Sequence, residues 1–364
     1  MHPIRSDRRP TYRFLCRHSI PPRTAVLACV GLLCLPAPLL GQAIRLQPTA
    51  RATSTQLHNL ATVADAAMDR QKRVYILDPT APGIVITDST LRRIGFYGRR
   101  GSGPGEFREP VSIGILANGR VAVLDRALGR ITLFDVTEGG ASLQPRRTIN
   151  LNIMSEAMCV LPGDQLLIYG FNAGRRLHLF GVDGRRSRSF APPGATLSPM
   201  ALGLLTRGKM VCDAEHDQVV VSSRLLPAIE AFRVSTGART WVGTLTPFRA
   251  IRVYDQGSRV TISSGPSGVS LVTGLVSTGE YMVFQTIYDS RTDGAKADTI
   301  MTYVYSRRTG QWLPRGDRAP LLFGLGRDAA LSVHGIGQME MEVRLNRVTS
   351  TNRAAGTRPV RRAN

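Results

Sequence analysis

Apolar positions recur along this chain in short bursts, and helical spacing is scarce. From Val63 the order is an apolar stretch (63–68), a polar turn, RVYILD (73–78), a Pro/Gly turn, GIVITD (83–88), a second turn and LRRIGFYG (91–98). Four β-rich runs separated by turn residues predict a four-stranded antiparallel meander. The order returns from Pro110, where RVAVLD (120–125) matches RVYILD and GRITLFD (129–135) matches GIVITD. Weaker copies follow, anchored at Gln165, Gln218 and Glu280, and a faint sixth spans 320–345.

Arg73, Arg120, Gln165, Gln218 and Glu280 stand 47, 45, 53 and 62 residues apart. Repeats of this length point to a β-propeller. The expected architecture is all-β, with six blades of four antiparallel strands closed by an N-terminal strand from the stretch beginning AIRLQ (43–47). Closure removes the exposed sheet edge.

Near one repeat position stand Ala67, Gly114, Cys159, Cys212, Gly274 and Gly324, all small. The first strand of each blade lines a crowded axis, which gives this column a packing reason and makes the axis small and apolar. It also makes Cys159 and Cys212 buried fillers, and free thiols are the expectation for both, with one disulfide as the alternative.

The loop GRRGSGPGEF (98–107) lies between the first two units. A phosphate cradle needs a helix after such glycines, and a P-loop needs Lys-Ser/Thr. Here the chain continues into a strand, so the glycines serve the crossing between blades. The stretch from 98 to 135 resembles the repeat of NHL-type six-bladed β-propellers. The resemblance rests on Gly98, Gly101, Gly103, Gly105, Phe107, Pro110, Asn118-Gly119, Asp125, Arg130-Ile131 and Phe134. It is specific over about 65–135 and is carried by spacing alone beyond Ala195. It implies a binding scaffold, with catalysis in a minority of members.

Residues 1–43 carry a basic lead, an uncharged run (25–40) and a small-x-small exit at Gly41-Gln42-Ala43, the pattern of a secretory signal peptide. The expected domains are this signal at 1–43, the propeller at 44–347 and a disordered basic tail at 348–364. The product is expected to be periplasmic or extracellular, monomeric and without a membrane span. The formal charge of +21 falls to +16 once six arginines and one aspartate leave with the signal. The arginines are dispersed, without basic–aromatic alternation, which with export argues against an RNA-binding propeller.

Candidate chemistry is thin. Glu106, Asp125, Asn172 and Asp213 could approach a cation on the axis, as in gluconolactonase-like propellers, yet no two units present the same carboxylate pattern. His58, His178, His216 and His334 fall at different repeat positions, and Asp78 and Asp125 suit turn-amide acceptors. No metal, cofactor or catalytic residue is assigned, and a metal-dependent lactonase- or lyase-like enzyme is the alternative reading. The long connections 246–268 and 288–299 exceed what a blade requires, and long loops on a rigid scaffold are where binding is placed. Arg99, Arg100, Glu106, Arg126, Arg249 and Arg252 are the candidate contacts on that face, for a protein, a peptide or an acidic envelope glycan.

Overall fold

The computed structural model describes residues 44–194, 197–264, 268–289, 300–313, 319–335 and 340–350. The predicted signal, most of the 288–299 connection and everything past 350 lie outside the described residues. The fold is a β-propeller of six four-stranded antiparallel blades. Blade one comprises Asp65–Met68, Val74–Asp78, Gly83–Thr87 and Arg93–Tyr97. Blades two to five begin their first strands at Pro110, Met154, Gly208 and Val269. Blade six takes Leu321–Gly324, Ala329–His334 and Glu342–Ser350 from one end of the propeller sequence. Its fourth strand, Ile44–Thr53, comes from the other end, paired from Ile44↔Ser350 to Thr53↔Glu342. The last strand therefore runs three residues past the predicted boundary at 347, because Val348–Ser350 have partners in the closing strand.

The strands form because each inner strand is apolar on both faces. Val74 and Ile76 pack with Phe323, Leu331 and Val343 of blade six. Tyr75 and Leu77, one residue along, pack with Ile113, Val121 and Phe134 of blade two. Period-2 alternation thus divides one strand between two neighbours. The same division joins blades two and three, three and four, and four and five. The seam between blades five and six is the exception, with Val276, Val283 and Leu322 its buried apolar cluster among the described residues. There the fully buried Gln285 takes over. Its amide nitrogen donates to Thr302 Oγ1 (3.2 Å) and the Pro320 carbonyl (2.8 Å), and its oxygen accepts from Leu322 N (2.8 Å).

The axial column holds in five blades. Ala67, Gly114, Cys212 and Gly324 pair with the second residue of the following strand, and Cys159 lies opposite Leu167. A Cβ on Gly114 would stand 2.6 Å from Val160 Cγ2, so bulk is excluded there. Blade five departs from the expectation. Its first hairpin turns in two residues, Gly279-Glu280, so the matching level is Ser277, opposite Met282, and Gly274 lies three residues further back. The two cysteines also correct the reading as free thiols. Cys159 and Cys212 form a disulfide between the first strands of blades three and four, with Cα atoms 6.1 Å apart. Small residues at one level of adjacent axial strands are close enough to bond.

Two expectations follow. Replacing both cysteines by alanine should cost roughly 2–4 kcal/mol in denaturant unfolding, the usual worth of a disulfide enclosing tens of residues; a loss below about 0.5 kcal/mol would show that the bond staples nothing. His178 supplies the second. Its ring is fully buried in blade three between Ser189 Oγ (2.8 Å) and the Gly170 carbonyl (3.2 Å), and burial pulls its pKa from 6.5 down to about 4. On acidification the unfolded chain takes this proton first. The His178 contribution is therefore complete above pH 6.5 and lost at about 1.4 kcal/mol per pH unit as pH falls towards 4. His178→Gln should flatten that part of the stability–pH curve; an unchanged slope would contradict the burial account.

Candidate functional site

In an antiparallel blade the second-to-third turns and the crossings to the next blade lie at one end, which makes one face rich in loops. The 98–107 crossing is built around its own Glu106. That carboxylate accepts from Gly103 N (2.7 Å) and pairs with Arg99 (2.6 Å), and a Cβ on Gly101 would overlap it. Gly98 and Gly105 have φ of 128° and 75°, values that side chains resist. Arg130 clamps the loop through the carbonyls of Ser102, Gly103 and Glu106 (2.7–3.0 Å), and Arg100 reaches the Thr80 carbonyl (3.1 Å). Phe107 is buried against Tyr97 and Phe134, and Pro110 opens the next strand. Arg99, Arg100 and Glu106 thus lie on the loop-bearing face while holding the loop itself. Asp125 ties the end of this crossing to its own turn, accepting from Arg108 N, Glu109 N and Leu128 N (2.7–3.2 Å). Asp78 does the same for Ala61, Thr80 and Ala81 (2.7–3.1 Å).

Two insertions rise from this face. The sequence reading missed the first, a helix at Pro199–Thr206, although Ser198-Pro199 is a start signal. Ser198 caps it by accepting from Ala201 N (3.3 Å), and Pro199 occupies the first turn. The second is the hairpin Arg252–Asp255/Val260–Ser263, within the long 246–268 connection. Ser198 N donates to the Asp255 carboxylate at 2.6 Å, tying hairpin to helix. Arg249 lies at the base of this insertion, its N–H donating to Ser270 Oγ (3.0 Å) and its carbonyl accepting from Ser270 N (2.9 Å), and Arg252 opens the hairpin. Among the described residues, six large hydrophobics stand exposed, and four of them lie on or beside these insertions, Tyr254 and Ile262 on opposite faces of the hairpin. They are Met154, Met200 and Tyr254, each 50–53 % exposed, and Ile262 at 39 %. Met154 lies against Gly203 of the helix, where a Cβ would overlap its methyl.

The axis encloses a channel of about 510 Å³. Its wall corrects the expectation of a small, apolar axis. Two or three residues before the small column, at the loop-bearing end, stand Asp65, Ser112, Glu156 and Lys209. Asp65 accepts from Ser112 Oγ (2.8 Å), Ile113 N (3.0 Å) and Ala66 N (2.9 Å); its enclosure in the wall nonetheless raises its pKa. Glu156 is held by Arg126 (2.7 Å) and Arg207 (3.7 Å), and Arg126 also pairs with Glu109. The predicted contact Arg126 is therefore a strut between blades two and three. No repeat pattern marks these residues, since each blade contributes a different type. At the opposite mouth Arg307 pairs with Asp213 and donates to Ser277 Oγ (2.6 Å), while Asp213 also takes His216 Nδ1 (2.9 Å).

The remaining histidines are dispersed. His58 stacks on Phe96 with centroids 4.0 Å apart, and His334 Nε2 meets Ser332 Oγ at 3.0 Å. Among the described residues no three of His, Cys, Asp and Glu converge as a metal-ligand set, and Glu106, Asp125, Asn172 and Asp213 each have separate partners.

No protein-family model matches the chain, and no curated protein matches it in sequence. Solved structures do resemble it. A DUF4221-family member from Bacteroides vulgatus superposes with a TM-score of 0.55 at 6% identity, over 85% of this chain and 99% of that one. A Bacteroides fragilis protein named for its inferred export gives 0.50 at 10% identity, over 84% and 95%. Hydrazine synthase of Kuenenia stuttgartiensis gives 0.50 at 10% identity, over 75% and 74%. At these identities the likeness is one of fold: this chain is a six-bladed β-propeller.

Proposed function

We propose that this chain is an exported, NHL-repeat-type propeller that docks a protein or peptide partner on its loop-bearing face. The observation that carries the reading is the exposure of Met200, Tyr254 and Ile262 on two insertions that the blade framework does not need, with Met154 of blade three exposed beside the helix. An exposed apolar patch rimmed by charge is the usual composition of a protein-binding surface. Methionine and tyrosine adapt to another protein's side chains, and a hydroxyl-rich glycan offers such a patch less apolar area to cover. Arg249 and Arg252 stand beside the patch, and the +16 balance of the processed chain favours an acidic partner.

Export is supported by the basic, apolar and small-residue order of 1–43 and by the Cys159–Cys212 disulfide, a bond at home in oxidising compartments. The NHL assignment is supported by Gly98, Gly105, Phe107 and Asp125, which fill in this fold the crossing and turn roles that the repeat pattern implies.

Photo-crosslinking in the native envelope tests the docking. A benzophenone side chain at position 200 or 254 should give one defined protein adduct, whereas the same group at Val242, on an outer strand, should not. Met200→Ser combined with Ile262→Ser should weaken capture roughly tenfold or more, as expected for central interface side chains. Equal labelling at all three positions, or none at any, would remove the docking face.

A further inference from the structure

Of the 10 methionines in the chain, eight lie among the described residues. Six of these are buried or half-buried, with Met158 and Met282 only 6 % and 1 % exposed. The two exposed ones, Met154 and Met200, both stand at the Pro199–Thr206 helix on the loop-bearing face. Met154 reaches the helix from the start of blade three, and its thioether lies on Gly203. A Cβ there would stand 3.4 Å from Met154 Sδ and overlap the methyl. Met200 lies in the first turn of the helix, two residues after Ser198, whose N–H is held by Asp255. Asp255 shares its hairpin face with Val253 and Ile262, so this bond turns an apolar face towards the helical turn that carries Met200.

Exposure governs how fast a protein sulfur is oxidised, and free thiols are the usual competitors for the oxidant. Here Cys159 and Cys212 are consumed in their disulfide, which leaves Met154 and Met200 as the most exposed sulfurs among the described residues. We propose that these two methionines are a paired modification site, which a peroxide-class oxidant converts to sulfoxides and thereby releases the docked partner. A lone pair on Sδ bonds one peroxide oxygen as the O–O bond breaks. The other oxygen leaves as hydroxide and takes the proton of the transferred oxygen, so thioether plus hydrogen peroxide gives sulfoxide plus water. Sulfur loses two electrons and the peroxide gains them. A dithiol reductant reverses the step, leaving as a disulfide while the oxygen leaves as water. The change replaces a flexible apolar group by a polar one on the surface that the partner covers. An apolar side chain seated there would then bury an unpaired oxygen. Linkage runs both ways: a bound partner shields the thioethers, and oxidation opposes binding. The release rests on the docking reading, whereas the modification site does not.

Hydrogen peroxide applied to the purified protein, with a time course followed by peptide mass mapping, tests the site. Met154 and Met200 should gain oxygen at least about tenfold faster than Met158 and Met282, since a buried thioether reacts only when its surroundings open. Equal rates at all four positions would overturn it. The release is read in the native envelope with a benzophenone at position 254. Peroxide given before light should lower the protein adduct about fivefold or more, the effect of burying one unpaired polar group. With Met154→Leu and Met200→Leu combined, the ratio of adduct after peroxide to adduct before it should return to about one, the value for unmodified sites. An adduct that survives complete oxidation of both methionines would overturn the release. No adduct even before peroxide would remove the docking face and the release with it, while the relative oxidation rates would still decide the modification site.

Discussion

No blade of this protein has a core of its own. Because Val74 and Ile76 face one neighbour and Tyr75 and Leu77 the other, each sheet leaves both faces unburied until two further sheets arrive. Six sheets in line would still leave two apolar faces in water, and only a ring removes both. The pairing of Ile44–Thr53 with Glu342–Ser350 completes the sixth sheet across the gap between the propeller's first and last residues. Everything else in the fold depends on that closure, since the axis exists only when the ring is shut.

The closed ring is uneven, and its irregularities carry the features on which the proposed function rests. Blades three and four are joined by a disulfide on the axis, and blades five and six meet through a buried glutamine where the other seams use clustered side chains. The Pro199–Thr206 helix and the hairpin at 252–263 occupy the crossings that leave blades three and four, the well-knit part of the ring. A rigid base beneath adaptable, methionine-bearing insertions suits docking, since the partner orders little beyond the insertions themselves. The channel below is a different environment, with Asp65, Glu156 and Lys209 at the loop-bearing end and Asp213 and Arg307 at the other.

The fold was legible in the sequence because a repeat states the same physical demand several times. The order of turn and strand, the small axial column and the glycines at 98 and 105 each answer a steric requirement that few residue types meet. The column misled only in blade five, where the two-residue turn at Gly279-Glu280 shortened the offset from which Gly274 was counted. The disulfide was missed because a small buried filler and a bonded half-cystine look alike in one chain. The site was far less legible. Asp65 lies inside a stretch that reads as apolar, Glu156 and Lys209 match nothing in the other blades, and their meeting is a product of ring closure alone. Arg99, Arg100, Glu106 and Arg126 were readable as charges on the loop-bearing face, but their ion pairs and hydrogen bonds within the scaffold were not.

Hydrogen exchange followed by mass spectrometry tests the central claim, a closed ring bearing adaptable insertions. The account predicts that peptides covering 44–53 and 342–350 exchange as slowly as the inner strands of blades one and two, opening only with global unfolding. Peptides covering 199–206 and 252–263 should exchange by local opening, orders of magnitude sooner. Early exchange at 44–53 would show that the ring does not depend on its closing strand, and would contradict the account.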